Sequence, residues 1–388
     1  MKSNLPKILI IYEFFDPAYK AGGIIQSLRN MIQLLQNDYE FHVITGAFDL
    51  NELQPLDGIK VNEWNKMQIA DNATVNIWYD DKKRLDLIKM KKLINSVDPN
   101  IIYINGFMHI TFLFNPLMVI KYSELPNTKI IVAPRGMLQD GAVTTKSAKK
   151  KWYIKLIQLM GLTKNIYWHI TSINELEGIK RYFPHSAARF TLAGNIPKKP
   201  LELIVTSNKQ AGKLSLVYAS IITEKKNLYY LLQSLKLVKS TILLSIYGVV
   251  KESEYWDQCN LLIQQLPANI QVIYKGDYHP QQIQAIISKH DALILLSKGE
   301  NFSHAIFEAL GAGRPVISSH FTSWNNLTTN QAGWNFTIDN QTETANSLDQ
   351  LAVINNTEWI PYCNGAHQLA KQYLAKQDFT KDYKKLFG

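Results

Sequence analysis

Cysteine is scarce in this 388-residue sequence, which contains only Cys259 and Cys363. The two lie far apart in the chain and fit neither a zinc-binding nor a redox spacing, so we expect a reducing compartment and no structural metal. Long apolar runs are missing as well, since none reaches the roughly 18 residues of a membrane-spanning helix. The run Ile8–Ile11 is too short for a secretory signal, and Glu13 follows it closely. We therefore expect a cytoplasmic protein without a transmembrane segment.

Acidic residues are the minority among the charged ones. The sequence has 42 Lys and Arg against 32 Asp and Glu, which gives a net charge of +10 at pH 7. A basic surface of this kind suits nucleic acid, anionic lipid or phosphorylated small molecules. Because RNA-binding aromatic motifs, zinc fingers and helix-turn-helix signals are all missing, we do not expect a nucleic-acid partner.

What the sequence does contain is an alternation of short apolar runs and helical patterns, which is typical of α/β proteins with parallel sheets. In the first half we predict strands at Lys7–Tyr12, Phe41–Thr45, Thr74–Trp78, Ile101–Ile104, Ile130–Ala133 and Tyr167–Thr171. The predicted helices there are Ile24–Leu35, Leu85–Ser96, Lys149–Met160 and Asn174–Tyr182. In the second half we predict strands at Leu214–Ala219, Thr241–Tyr247, Ile270–Tyr274, Ala292–Leu296 and Val316–Ser318. Its predicted helices are Leu228–Val238, Trp256–Leu266, Gln281–Lys289 and Ser303–Leu310.

The length and this pattern indicate two domains. The polar, aperiodic stretch Lys198–Lys213 separates the two series of elements and is the expected linker. We predict two Rossmann-like, doubly wound domains, at residues 1–200 and 201–369, which face a ligand cleft at the carboxyl ends of their sheets. The closing stretch Ala366–Phe387 has a helical pattern, and we expect a helix at about residues 370–388 to pack back on the first domain.

The most informative segment runs from Lys298 to Val316 and reads KGENFSHAIFEALGAGRPV. A buried strand ends just before it, a short polar loop follows, and Ser303 is of a residue type that caps helices. Free backbone amides at a helix start attract anions and suit a diphosphate. Glu300 lies in the loop, and Glu308 lies inside the predicted helix.

Together with Trp324 and the later Ala-Gly-Trp run ending at Trp334, this segment resembles the E-x7-E signature of retaining glycosyltransferase family 4 (glycosyltransferase group 1, GT-B fold). The resemblance implies that Glu300 contacts the transferred sugar and that Glu308 holds the ribose of the nucleotide. It also implies donor contacts from the residues between them, namely Asn301, Phe302, Ser303 and His304. The alternative is that Glu300 is a solvated loop residue and that Glu308 lies on a helix surface.

Three further segments resemble the same family, and in part a subgroup of it that makes bacterial surface polysaccharides. The pair Gly22-Gly23 precedes the first helix, where the family has a Gly-Gly loop that faces the donor. Arg135 stands in an Ala-Pro-Arg-Gly-Met-Leu segment where many relatives carry His, and because Arg does not exchange protons we expect it to act electrostatically in catalysis. Lys226 matches the family lysine that reaches the diphosphate, whereas Ile221 occupies the position of the usual arginine.

The resemblance implies a hexosyltransferase-type enzyme that moves a sugar, with retention, from a UDP- or GDP-sugar to a glycan or lipid-linked acceptor in bacterial polysaccharide or glycoconjugate synthesis. Aspartate pairs of the D-x-D kind, which hold a metal in other glycosyltransferases, are missing, because Asp80 and Asp81 are adjacent. We therefore expect neither a metal nor another cofactor. Two alternatives stay open: a GT-B nucleotide-sugar epimerase, and a catalytically weak nucleotide-sugar-binding scaffold, which Ile221 favours.

The basic stretch Lys146–Lys164 also carries Trp152 and Leu159. Lysines at a helix start oppose the helix dipole, so they call for an explanation. One explanation is that this helix contacts an anionic membrane surface, which would hold the enzyme peripherally on the inner face of the membrane. The alternative is a solvated rim above an ordinary core-facing helix.

Overall fold

The computed structural model of the chain describes residues 5–70, 73–81, 85–123, 125, 127–139, 147–200 and 206–388. The chain divides into two compact units. One comprises Met1–Ile196 and Asp378–Gly388, and the other comprises Pro197–Gln377. The first unit thus ends at Ile196 rather than at residue 200, and the second extends to Gln377 rather than to residue 369. Residues 201–205 of the expected linker lie outside the described residues.

The first unit is built on an eight-stranded sheet with the order β3-β4-β2-β1-β5-β6-β7-β8. Its strands are β1 (Lys7–Ile11), β2 (Glu40–Gly46), β3 (Trp64–Ala70), β4 (Ala73–Asp80), β5 (Ile101–Asn105), β6 (Lys129–Ala133), β7 (Tyr167–Ile170) and β8 (Phe190–Leu192). Neighbouring strands are parallel except β3 and β4. The strand order reverses between β1 and β5, and in doubly wound sheets ligands bind at such a switch point.

Both faces of this sheet are covered, which explains the uninterrupted apolar run of β1. Leu9 and Ile11 belong to one buried apolar cluster, while Ile8 and Ile10 belong to another. The described α-helices of this part are α1 (Gly23–Leu35), α2 (Leu87–Val97), α3 (Asn115–Tyr122), α4 (Ser147–Leu159) and α5 (Asn174–Tyr182). Each of the first two buries one apolar stripe at helical spacing, as expected of helices that cover a sheet.

The second unit is built on a six-stranded parallel sheet with the order β11-β10-β9-β12-β13-β14. Its strands are β9 (Lys213–Ala219), β10 (Thr241–Tyr247), β11 (Ile270–Tyr274), β12 (Ala292–Leu295), β13 (Val316–Ser319) and β14 (Gly333–Phe336). Its helices are α6 (Leu228–Leu235), α7 (Ser253–Ile263), α8 (Ile283–Ile287), α9 (His304–Gly311), α10 (Gln341–Val353) and α11 (Asn356–Ala375). The order reverses between β9 and β12, so the switch point of this sheet lies between those strands.

The predicted fold class is confirmed, because both units are α/β structures on predominantly parallel sheets. The closing stretch returns to the first unit as expected, but the helix expected at about residues 370–388 is divided into two. In this stretch α11 ends at Ala375, and a separate helix, α12 (Phe379–Phe387), follows. Asp378 caps the start of α12, because its carboxylate accepts a hydrogen bond from the Lys381 amide at 3.0 Å. This last helix belongs to the first unit, where Tyr383 and Phe387 are buried in the apolar cluster that contains Ile8.

Candidate active site

The carboxyl ends of β9 and β12 carry the predicted donor residues of the second unit. β9 ends at Ala219, and a short 3-10 turn at Glu224–Lys226 follows it. β12 ends at Leu295, and the loop that contains Glu300 leads from it into α9. Because the two strands are neighbours in the sheet, these loops lie side by side at the switch point.

Glu300 and Lys226 form an ion pair between these two loops. The Lys226 Nζ atom lies 2.5 Å from Glu300 Oε1, which also accepts a hydrogen bond from Ser297 Oγ at 2.8 Å. The Glu300 amide donates to the carbonyl of Phe321 at 3.0 Å, so the backbone of the loop is fixed as well. The Glu300 side chain is only 9% exposed. The alternative interpretation, that Glu300 is a solvated loop residue, is therefore wrong.

A second lysine lies beside the same loop. The Lys298 amide donates to the Lys225 carbonyl at 2.9 Å, and a methyl group at position 299 would lie 3.7 Å from the Lys225 Cε atom. Ile221, which stands where the family has an arginine, precedes a one-residue parallel bridge between Ile222 and Val250. The Lys225 side chain thus lies beside the loop that contains Glu300, whereas Ile221 contributes no charge there.

Ser303 occupies the position just before α9, but it does not cap that helix. Its backbone has a φ of 61°, and its side chain makes no capping hydrogen bond, so the predicted side-chain cap is wrong. The positive φ turns the chain sharply from the loop into the helix, which begins at His304.

Phe302 and Trp324 belong to an aromatic cluster behind this loop. The Trp324 Nε1 atom donates to the Phe302 carbonyl at 2.6 Å, and the Phe302 ring packs against Phe307, Trp324 and Tyr373. The ring of Phe302 therefore supports the loop from inside the unit. Asn301 and His304, on either side, are half-buried.

Glu308 is the fifth residue of α9 and is 6% exposed, so the alternative of a helix-surface residue is wrong. Its carboxyl group makes no hydrogen bond within the described part of the chain. Burial raises the pKa of Glu308 to about 8, and the positive charge of Lys198 opposes that rise. A carboxyl group that is removed from water without a partner suits a ligand that brings hydroxyl groups to it.

Arg135 lies after β6 in the first unit, with a φ of 53°. Its guanidinium donates to Asn105 Oδ1 at 2.9 Å, to Asn195 Oδ1 at 2.8 Å and to Tyr103 Oη at 2.8 Å. All three of its nitrogens are thus held by neutral oxygen atoms. These three partners were not anticipated from the sequence, because they come from distant segments that meet only in the folded sheet.

Behind Arg135 lies a buried histidine, His169, which the sequence did not single out either. Its Nδ1 atom is 2.7 Å from Tyr103 Oη, and its Nε2 atom is 2.9 Å from the Ala193 carbonyl. Burial, together with the charge of Arg135, lowers the pKa of His169 to about 3. The ring is therefore neutral, with Nε2 donating to the carbonyl and Nδ1 accepting from the tyrosine.

Gly22 and Gly23 begin α1 in the first unit. Gly22 has a φ of 92°, which a residue with a side chain adopts only under strain, and Gly23 is the first helical residue. In the loops that follow β1 and β5, the Glu13 carboxylate lies 3.4 Å from the His109 imidazole. Hydrogen bonds fix that ring, since His109 Nδ1 accepts from the Phe112 amide at 3.1 Å.

The described ranges contain no metal-ligand cluster. No group of three or more His, Cys, Asp or Glu side chains in them could hold a metal ion. Asp80 instead pairs with Lys89 at 2.9 Å, and Asp81 accepts from Asn62 at 2.9 Å. Within the same ranges no helix is long and apolar enough to cross a membrane.

Comparison with known proteins gives the following similarities. Residues 202–372 match the family described as glycosyl transferases group 1. No curated protein sequence matches the chain significantly. Among solved structures, the chain is similar to sucrose-phosphate synthase from Thermosynechococcus elongatus, at 14% identity and a TM-score of 0.73 over 98% of this chain and 99% of that one.

Two other similar structures are those of HepE and WaaG. HepE of Anabaena, in complex with UDP and glucose, is 12% identical with a TM-score of 0.68 over 98% of both chains. WaaG, a glycosyltransferase involved in lipopolysaccharide biosynthesis, is 11% identical with a TM-score of 0.66 over 98% of both chains. The chain has the GT-B fold, and its residues 202–372 form a glycosyltransferase group 1 domain.

Proposed function

We propose that the chain is a retaining, metal-independent glycosyltransferase of the hexosyltransferase type. It moves a sugar from a UDP- or GDP-sugar to a glycan, lipid-linked or other acceptor in bacterial polysaccharide or glycoconjugate synthesis. The observation that carries the proposal is the state of Glu308, a buried carboxyl group without a partner on the helix that follows the Glu300 loop. The group 1 match over residues 202–372 and the UDP complex of the similar HepE support a nucleotide-sugar donor.

In this proposal the donor lies across the start of α9. Glu308 accepts hydrogen bonds from the ribose hydroxyls, and the amides at the helix start bind the diphosphate. Lys226 and Lys225 contribute positive charge to the departing nucleoside diphosphate, and Lys225 replaces the arginine that Ile221 displaces. Stabilisation of that negative charge supplies most of the catalysis.

Glu300 faces the reacting sugar in this scheme. Its charge is compensated by Lys226 at 2.5 Å in the absence of a donor. A bound diphosphate would compete with Glu300 for the same ammonium, so donor binding would free the carboxylate to contact the sugar. By the family resemblance, Gly22 and Gly23 of the first unit contact the donor, and Arg135 acts in the transfer step. The scheme requires no metal.

We also propose that α4 attaches the enzyme to an anionic bilayer on the cytoplasmic side. Trp152 is 71% exposed and Leu159 is 77% exposed, and their spacing of seven residues puts them on one face of the helix. Lys149, Lys151 and Lys155 are exposed around them. Apolar side chains flanked by lysines are typical of helices that lie in a membrane interface. Lys146, at the start of the basic stretch, lies outside the described residues.

The proposal is tested with a thermal-shift panel of UDP-, GDP- and ADP-sugars, followed by product analysis with the donor that binds. Release of nucleoside diphosphate together with a glycosylated acceptor, or with free sugar in its absence, supports the transferase. Conversion of the donor to its epimer without release of nucleotide indicates the epimerase. Binding without any turnover indicates a scaffold, and failure of every nucleotide sugar to bind overturns the donor site.

A further inference from the structure

A pocket of about 340 Å³ lies at the amino-terminal edge of the second sheet. Its walls include the first residues of β9 and β10, the segment Ser288–Asp291 that leads into β12, and Ser207. β9 has seven residues, so about 20 Å of strand separates this pocket from the Glu300 loop at the other edge. The pocket is therefore distinct from the proposed donor site.

Arg314 supplies a cation whose position is fixed. Its Nη2 atom donates to the Ser288 carbonyl at 2.6 Å, and its Nη1 atom donates to the Thr206 carbonyl at 2.6 Å. Because these acceptors are neutral, the positive charge of the guanidinium is not cancelled. An anion that enters the pocket meets a charge that is already oriented.

Two lysines add to this charge. Lys213 and Lys289 line the pocket with exposed side chains, and within the described part of the chain neither ammonium pairs with a carboxylate. Asp291 is the acidic residue of the lining, and it accepts a hydrogen bond from the Ser215 amide at 2.8 Å. Burial raises the pKa of Asp291, and the charges of Lys209 and Arg314 oppose that rise. Three cations line the pocket against this one carboxyl group. The pocket consequently has an excess of positive charge.

Hydrogen-bonding groups stand beside the cations. His290 Nδ1 lies 3.0 Å from the Ile286 carbonyl and must donate to it, and burial lowers the pKa of His290. The neutral ring then keeps Nε2 as an acceptor. The hydroxyls of Ser207 and Thr241 also line the pocket. This combination suits a ligand that carries hydroxyl groups as well as negative charge.

We propose that this pocket binds a small phosphorylated polyol such as a sugar monophosphate. Arg314, Lys213 and Lys289 receive the phosphate group. His290, Ser207 and Thr241 receive the hydroxyls. The site is a second one on the donor domain, and it does not depend on the proposed transfer reaction.

The test is isothermal titration of the full chain with glucose 6-phosphate in the presence of saturating UDP, which occupies the donor site. We expect one binding site that survives UDP. The double variant K213Q/K289Q should bind at least about tenfold more weakly, because each loses a charge-assisted hydrogen bond. K371Q, which changes an exposed lysine of α11, is the matched control and should bind as the wild type does.

Two further measurements separate the sources of binding. Inorganic phosphate should compete with glucose 6-phosphate, and S207A/T241V should weaken the sugar phosphate but not inorganic phosphate. Loss of binding on addition of UDP would assign the anion to the donor site and overturn the proposal. Equal affinities of wild type and K213Q/K289Q would overturn it too. A chain that binds neither UDP nor GDP contradicts the proposed function alone, since the lysine comparison can then be made without nucleotide.

Discussion

The Lys226 ammonium and the Glu300 carboxylate, which are separated by 74 positions in the chain, lie 2.5 Å apart at the switch point of the second sheet. The pair forms because β9 and β12 are hydrogen-bonded neighbours although two strands separate them in sequence. Both side chains are largely removed from water, with exposures of 23% and 9%. The pairing fixes the orientation of both side chains across the two loops.

Replacing Glu300 with Gln should lower turnover more than it lowers donor affinity. The change removes the charge that faces the reacting sugar but keeps the size of the side chain, so we expect turnover to fall at least about tenfold. Steady-state kinetics at saturating donor measures this. The control is Glu224→Gln, which changes an exposed carboxylate paired with Lys298. Wild-type turnover in Glu300→Gln would remove this residue from the reaction.

Replacing Glu308 with Ala should weaken donor binding by about 1–3 kcal/mol, because the hydroxyl groups that the carboxyl group receives would be left buried without a partner. The fold should persist, because the carboxyl group has no protein partner to lose within the described ranges. Calorimetric titration with the donor measures the affinity, and Glu254→Ala, at an exposed position of α7, serves as the control. Equal affinities for every nucleotide sugar that binds the wild type would exclude ribose binding by Glu308.

The raised pKa of Glu308 predicts a dependence of stability on pH. The pKa of Glu308 is about 8 in the folded state, against the ordinary 4.5 of the unfolded chain. Between these values the folded state holds one more proton than the unfolded state, so the free energy of unfolding falls as the pH rises through the interval. Relative to Glu308→Gln, the wild type should lose stability between about pH 5 and pH 8, by up to roughly 1.4 kcal/mol per pH unit. Scanning calorimetry of both proteins over this range tests it. Parallel curves would show that Glu308 is ionised in the fold.

Replacing Lys149, Lys151 and Lys155 with Gln should release the protein from vesicles rich in anionic lipid. Each lysine near such a surface contributes about 1 kcal/mol of attraction, and moderate salt should mimic the change because it screens surface charge. Co-sedimentation with anionic and neutral vesicles measures the effect. The variant with Gln at Lys91 and Lys92, both exposed on α2, should still sediment. If wild type and triple variant sediment alike, α4 is an ordinary solvated helix.

Transfer activity should survive an excess of EDTA. The reason is that positive charge at the donor site comes from Lys225 and Lys226 rather than from a metal-ligand cluster. Turnover before and after chelation gives the result, with a manganese-dependent glycosyltransferase treated in parallel as the control. Loss of activity that magnesium or manganese restores would contradict this prediction.

The sequence predicted the buried strands well and the edge strands poorly. β1 is covered on both faces, so four of its five residues form an unbroken apolar run, and β10 is interrupted within its apolar run only by the buried Ser245. β3 and β8 went unpredicted because they lie at sheet edges, where half-exposed strands mix polar and apolar residues. β14 went unpredicted because it is a four-residue edge strand.

At the candidate site the motif located Glu300 and Glu308 but not their surroundings. That Glu308 is buried depends on how α9 packs against the rest of the unit, which an isolated glutamate in a helical pattern does not reveal. The partners of Arg135 lie in segments up to 60 residues away, with Asn195 the most distant. Such contacts follow from sheet order, and strand order is what a single sequence encodes least directly.

The chain returns to the first unit for its last eleven residues, and this has a consequence for synthesis. Tyr383, Leu386 and Phe387 complete the apolar cluster around Ile8, and Lys129 Nζ donates to the Leu386 carbonyl at 2.8 Å. The ribosome delivers that helix only after the whole second unit. During synthesis the first unit therefore lacks part of its apolar core until this helix has been made, whereas the second unit can fold from one continuous segment of the chain.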